Sequence, residues 1–411
     1  MSDDRNIGLA LSGGGYRASL FHLGAMRRLN ELGVLKNVGC ISSVSGGSIL
    51  SGFVADRMLA AGQNVPQFDD WETSVAQGFR SFVGKDIRTT LVLRYALINA
   101  IKPQWRAARL ADVFRKRLTG RYLTDLPKEE EGTSFMFLAT DFLESVAWEF
   151  EQHRVGHYRM TNKRRLPSDG ISIAQAVAAS ASFPPIFGPV RLPIKKRNGR
   201  DEHVAWLTDG GVYDNLGMEP VWNSKNYDRV LISDGGGVLQ KAVPSSYGGR
   251  LFRYSSIAMD QVRSRRQWEF IARIKQAEKH GDDYNGALWR NASKRKKFRQ
   301  SADADGRQRI DKLVEQGWYG YDDSDDGTID NWIARIRTDL DKFTTAESKI
   351  LENHGYFNAD IAIRAFLPEF LSDAAPFKVP HDDQQYLDDA EVRKHLKGSA
   401  SRWRFIQRYF Q

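Results

Sequence analysis

The stretch Ile7-Gly8-Leu9-Ala10-Leu11-Ser12-Gly13-Gly14-Gly15-Tyr16-Arg17, followed after one helical run by Val38-Gly39-Cys40-Ile41-Ser42-Ser43-Val44-Ser45-Gly46-Gly47-Ser48, decides the fold class. A short apolar run that stops at a glycine loop reads as a buried strand of a parallel sheet. Ala18, Phe21, His22, Ala25, Met26 and Leu29 then recur at helical spacing, and Gly33 closes that helix as a C′ glycine does. Val38 to Ser42 forms a second strand that feeds Val44-Ser45-Gly46-Gly47 and the helical run Ile49 to Val54. Repetition of strand, loop and helix predicts an α/β fold with a parallel sheet. Both loops then lie at the carboxyl ends of their strands, where open sheets bind ligands.

Outward from this core, residues 61–133 are mixed in polarity, with Trp71, Phe79, Phe82, Trp105 and Phe114 irregularly spaced, and read as a helical insertion or lid. Strands are expected at 134–140, 146–150, 204–208 and 229–233. A small-residue helix from Ile173 to Ser182 must end before Pro184 and Pro185. Past residue 240 the chain turns to long charged helices interrupted by the acidic loop 322–326. Residues 1–240 are thus expected to form the catalytic core, and 241–411 a helical C-terminal region packed on it or completing it. No internal repeat is present.

At 411 residues, 41% hydrophobic and 27% charged, the chain has ample apolar material for a packed interior, which excludes wholesale disorder. Cys40 is the single cysteine, so no disulfide and no cysteine metal site follows. The N-terminus lacks a basic region leading into an apolar one, and a cytoplasmic location is expected. The most apolar long stretch, 91–101, contains Arg94 and is well short of the roughly 20 residues of a spanning helix. A net charge of +9 fits an anionic partner.

Hydrolysis by a serine needs an exposed hydroxyl, a base within reach and donors for the oxyanion. Ser45 sits at a strand-to-helix junction of the nucleophile-elbow form. Ser43 stands where the usual elbow has its first glycine, a departure that matters only if positive φ is needed there. Gly13, Gly14 and Gly15 offer consecutive unobstructed amides at a helix N-terminus. Asp209 ends a strand ahead of Gly210 and Gly211, and burial raises such a carboxylate toward a working base. No histidine is convincingly placed. His354 is the rival base of a triad, His22 packs or bonds within its helix, and His280, His381 and His395 read as solvated.

Four ordered stretches carry a resemblance: Gly13-Gly14-Gly15-Tyr16-Arg17, Ser45-Gly46-Gly47, Ala179-Ser180-Ala181-Ser182-Phe183-Pro184-Pro185-Ile186-Phe187 and Asp209-Gly210-Gly211-Val212-Tyr213-Asp214-Asn215. The chain resembles the patatin-like phospholipase family, of a bacterial type. The resemblance implies a three-layer α/β/α fold with a mainly parallel central sheet and a helical C-terminal elaboration. It implies a Ser45–Asp209 dyad, an oxyanion loop at Gly13 to Gly15, and Arg17 and Gly47 in support. The activity implied is hydrolysis of lipid acyl esters, of phospholipase A or lysophospholipase type, with no metal and no cofactor. A thioesterase, a triacylglycerol lipase and a membrane-degrading effector switched by a nucleotide are the rival readings.

The partner implied is an anionic phospholipid surface, with a small-molecule or nucleotide activator as a further candidate; nucleic acid is not expected, and the sequence says nothing of oligomeric state. Arg337-Thr338-Asp339-Leu340-Asp341-Lys342-Phe343 and Asn353-His354-Gly355-Tyr356 are similar to stretches of larger bacterial relatives. Thr344 and Glu347 fit a helix capping box, and Asp339 and Asp341 are not read as metal ligands. Asp234-Gly235-Gly236-Gly237 reads as a strand-end turn. The tail from Arg402 to Phe410 interleaves cations and rings, as an interfacial helix does; capping of the core is the alternative.

Overall fold

Strand β1 (Ile7–Leu11) is buried along its whole length and lies between β2 (Val38–Val44) and β9 (Arg229–Asp234), parallel to both. The computed structural model describes residues 5–87, 104–160, 165–184, 187–196, 202–222, 226–238, 243–315, 329–371 and 376–399. Outside β9 the sheet gains β10 (Asn285–Arg290), and outside β2 it gains β3 (Ser134–Asp141), again in parallel. From β3 onward the pairing is antiparallel through β4 (Val146–Phe150), β5 (Arg154–Gly156) and β6 (Leu166–Pro167). A hairpin of β7 (Val190–Lys195) and β8 (Glu202–Asp209) returns to β3 and completes a ten-stranded sheet.

The parallel half is the one that carries the glycine loop and Ser45, as the sequence predicts. The antiparallel half departs from a mainly parallel sheet because its links are short. Only residues 142–145 join β3 to β4, and a parallel crossover needs a dozen or more residues.

Side chains alternate between two faces of each strand, and the core divides accordingly. Leu9, Leu11, Ile41 and Leu231 join the larger core on one face. Ala10, Cys40, Val230 and Ile232 join a smaller one on the other face, with Leu216, Met218, Val221 and Phe270. The larger core is covered by α1 (Gly15–Glu31) and α2 (Gly46–Ala60). Around them lie α3 (Gln77–Val83), α4 (Gln104–Arg117) and α5 (Ile173–Ser180). Next to Asp209 the chain forms the single turn α6 (Gly211–Asp214). The C-terminal region supplies β10, the long α7 (Tyr247–His280) and α8 (Thr345–Phe366).

Helix α8 packs directly on α1, and glycines make that approach close. A β-carbon on Gly24 would lie 1.8 Å from the Glu352 carbonyl oxygen, and one on Gly355 would lie 1.8 Å from that of Phe21. The Asn353-His354-Gly355-Tyr356 stretch is thus a packing motif. Arg28 of α1 is fully buried and donates to Asp360 of α8 at 2.7 Å. Thr344 and Glu347 form the predicted capping box at the start of α8. No described helix is long and apolar enough to cross a membrane. Residues 402–411, the acidic loop 322–326 and the 91–101 stretch lie outside the described residues.

Candidate active site

Strand β3 is the ruler on which the site is assembled. Strand β2 pairs with it as far as Val44 opposite Leu138, then leaves the sheet because Ser45 begins the turn into α2. Strand β8 runs in from the other end and takes the vacated edge, with Asp209 opposite Ala139. Val44 and Asp209, 165 positions apart, therefore face successive residues of one strand, and Ser45 follows directly on Val44.

Ser45 adopts φ 51° and ψ −113°, in the left-handed half of backbone space that side chains avoid. The strain is held by neighbours. Its N–H donates to Ser180 Oγ at 2.9 Å, Ser180 Oγ donates to the Leu138 carbonyl at 2.6 Å, and Ser48 Oγ bonds the same hydroxyl at 2.8 Å. Gly46 must be glycine, since a β-carbon there would stand 2.2 Å from the Gly15 carbonyl oxygen. Gly47 donates to the Ser12 carbonyl at 3.1 Å and so ties the elbow to the glycine loop. Ser43 lies within β2, outside the positive-φ positions, with Oγ 2.8 Å from Ser51 Oγ. The missing elbow glycine is therefore no defect, because positive φ falls on Ser45 itself.

Asp209 is buried, and its two oxygens differ. Oδ1 accepts the Gly211 N–H at 2.8 Å, whereas Oδ2 has no hydrogen-bond partner. Burial pushes the carboxyl up to about 7; the Gly211 N–H and the adjacent Ser45 hydroxyl pull less strongly the other way. Ser45 is thus near enough to act on the charge of Asp209, but the two make no hydrogen bond of ordinary geometry. Such contacts often tighten only when substrate is bound.

The glycine loop divides its labour. Gly14 and Gly15 have φ of 140° and 60°, and neither amide donates a hydrogen bond among the described residues. Gly13 differs from the expectation: its N–H donates to the Asn215 carbonyl at 2.9 Å, so it anchors the loop and is not a free donor. A β-carbon on Gly13 would also strike Asn215 Oδ1 at 2.3 Å. Arg17 points away from Ser45, donating to the carbonyls of Gly235 at 3.2 Å and Ile336 at 2.8 Å. It braces the loop against the C-terminal region, as does the Asp339 carbonyl, which accepts the Tyr16 N–H at 2.9 Å.

The histidines are engaged elsewhere. His354 is buried, with Nε2 2.8 Å from the Asn291 carbonyl, and burial pushes it down to about 4. His22 lies between Ser233 Oγ at 2.7 Å and the Ser12 carbonyl at 3.0 Å, and burial likewise lowers it to about 4. His280 is exposed. Two readings need correction: His381 is buried against Glu352 at 2.8 Å, and His395 is half-buried against Tyr386. Among the described residues no group of three or more His, Cys, Asp or Glu is placed to hold a metal ion.

Ser180, Asn215 and the Asp339 carbonyl were not singled out from the sequence. Ser180 and Asn215 did lie inside quoted motifs, but their bonds cross 135 and 202 residues of chain. No local pattern encodes such a span.

No curated protein sequence matches the chain. Among solved structures, human GIVD cytosolic phospholipase A2 aligns at 13% identity and TM-score 0.44, covering 97% of this chain and 61% of the human one. The chain thus spans about three fifths of that protein's length. VipD from Legionella pneumophila aligns at 13% identity and TM-score 0.36, covering 96% and 74% of the two chains. The complex of full-length SpcU with full-length ExoU from Pseudomonas aeruginosa aligns at 14% identity and TM-score 0.25, covering 96% and 76%. The family profile described as patatin-like phospholipase matches residues 9–222, more than half of the sequence, and the chain belongs to that family.

Proposed function

We propose that the protein is a serine lipid acyl hydrolase that cleaves fatty acyl esters of phospholipids with a Ser45–Asp209 dyad. The observation that carries the reading is the Asp209 carboxylate: buried, raised to about 7, and with Oδ2 unpartnered beside a strained serine. That oxygen accepts the Ser45 proton as Oγ attacks the ester carbonyl. Charge developing on the carbonyl oxygen is met by the Gly14 and Gly15 amides, joined by that of Gly46 just after the nucleophile. Collapse expels the glycerol oxygen, which takes the proton from Asp209 and leaves an acyl-serine and a lysophospholipid. Water then repeats the sequence: Asp209 takes its proton, the hydroxyl adds to the acyl carbon, and Ser45 departs with that proton. The second product is a free fatty acid.

The test is a long-chain fluorophosphonate, which phosphonylates an activated serine with loss of fluoride. Intact mass should show one adduct, mapping to Ser45 and absent from Ser45→Ala, together with release of fatty acid from phospholipid by the wild type alone. Labelling that survives Ser45→Ala would overturn the assignment.

A second reading, control by a nucleotide or similar phosphorylated molecule, is favoured by a cavity of about 320 Å3 away from the dyad. Arg57, Lys85, Lys116 and Arg117 line it together with Thr73 and Ser81, and among the described residues no carboxylate does. Phe82, also in its wall, meets the ring of Tyr16 at 5.8 Å, directly after the oxyanion glycines. A rate that changes on adding a nucleotide, and no longer does so in Lys116→Glu, would support it; an unchanged rate would dismiss it.

A further inference from the structure

Helix α7 gives little of its length to the core. Of its 34 residues only Gln267, Phe270 and Ala277 are buried, all in the second half. Tyr247, Leu251, Tyr254, Val262 and Trp268 stand exposed, Tyr247 at 77%, Tyr254 at 66% and Trp268 at 79%. Their offsets of 4, 7, 15 and 21 residues from Tyr247 keep them on one side of a helix with 3.6 residues per turn. Phe252, Arg263, Arg266 and Phe270 fall on the opposite, inward side. Single exposed apolar residues are ordinary, but Tyr247, Leu251 and Tyr254 adjoin on successive turns and form a patch that marks a contact surface, while farther along the same face Gln261, Arg265 and Glu269 interleave with Val262 and Trp268.

The helix also holds eight Lys and Arg against three Asp and Glu. Arg250 and Arg253, which flank the apolar row, meet no carboxylate among the described residues; Arg250 donates to the Pro244 carbonyl and keeps its charge. Aromatic rings beside unpaired cations are the composition of a helix that lies in a lipid interface.

The helix lies beside the dyad. Phe252 meets Phe183 edge-on at 6.0 Å, and Phe183 follows Ser182, whose carbonyl accepts the Asp209 N–H at 3.1 Å. Arg266 stands 3.5 Å from Asp214 at the end of α6, and Arg263 donates to the Gly237 carbonyl at 3.4 Å. Helix α7 therefore crosses the carboxyl edge of the parallel strands. At the same edge, β3 runs past the level of Asp209 into a turn that exposes Phe142 and Leu143.

We propose that the outward face of α7, with Phe142 and Leu143, seats the protein on an anionic bilayer and brings the mouth of the site to the lipid. The proposal rests on the lipid-hydrolase reading and names the surface that reading requires. A second copy of the chain is the rival occupant. A symmetric contact would set this cationic helix against itself, whereas an anionic lipid surface neutralises it.

The test uses the Ser45→Ala full chain, which leaves the lipid intact, with vesicles of phosphatidylcholine alone or mixed with phosphatidylglycerol. Partitioning is read by sedimentation. Binding should need the anionic lipid and weaken with salt. The triple change Tyr247→Ser, Leu251→Ser, Tyr254→Ser and the charge reversal Arg250→Glu, Arg253→Glu should each lower the partition coefficient about tenfold or more. In proteins that keep Ser45, both sets should leave hydrolysis of a soluble short-chain ester unchanged. Undiminished partitioning of both variants would overturn the proposal, as would a wild-type dimer in solution that the triple change dissolves. Weaker vesicle binding by the variants, in a protein whose wild type hydrolyses no ester at all, would support the docking face and refute the hydrolase reading.

Discussion

Replacing Asp209 by Asn should abolish turnover and yet stabilise the protein at alkaline pH. In the fold the carboxyl titrates at about 7, against 3.8 when solvated. A raised folded-state value means that the fold prefers the protonated form. Asp209 is therefore least unfavourable below about pH 4, where both states are protonated, and stability is lost as pH climbs from there to about 7. Three pH units at 1.36 kcal/mol each give a loss of about 4 kcal/mol, fully developed by pH 8. Asparagine does not titrate, but it places an amide N–H where Oδ2 is unpartnered, at a pH-independent cost of about 1–3 kcal/mol. The variant should thus be less stable than wild type at pH 4 and more stable, by about 1–3 kcal/mol, at pH 8. Guanidinium unfolding of both proteins across pH 4–8 measures the swing. A stability difference that stays flat across that range would refute a desolvated, under-bonded Asp209. The same carboxyl should govern the wild-type rate, with kcat/KM rising about tenfold per pH unit below 7 and levelling above it.

Four further outcomes are expected. Ser45→Ala should remove ester hydrolysis while preserving the fold, read as activity and thermal melting on the same sample; near-wild-type turnover would sink the nucleophile assignment. Gly14→Val should lower kcat about 10²–10³-fold with little change in KM, since oxyanion donors act in the transition state; an effect on KM alone would place the loop in substrate binding. His354→Asn and His22→Asn should retain substantial kcat wherever they fold, and a loss at His354 equal to that of Ser45→Ala would replace the dyad by a triad. Glu352→Ala should destabilise by about 1–3 kcal/mol, because it leaves His381, at 2.8 Å, without its carboxylate and Arg80 held, among the described residues, by Glu72 alone; an unchanged unfolding midpoint would deny that network its structural weight.

What the sequence determined by itself is local. The apolar run Ile7 to Leu11 stopping at three glycines, the strand Val38 to Val44 turning at Ser45-Gly46-Gly47, and Asp209 ahead of two glycines each leave a mark within a few residues, because strand burial, positive φ at Gly14 and Gly15, and close backbone approach at Gly46, Gly47 and Gly210 all constrain composition. The capping box at Thr344 and Glu347 was legible for the same reason. Tertiary structure alone decided how these pieces meet. No spacing told that β8 would occupy the edge of β3 that β2 leaves, and this sets Asp209 next to Ser45. Nor could periodicity tell that the Gly13 amide is tied to Asn215, that His381 is buried on Glu352, or that Gly355 lets α8 lie against Gly24 of α1. Hydrogen bonds and helix contacts between residues tens to hundreds of positions apart depend on which surfaces pack together, and packing is a property of the folded chain as a whole.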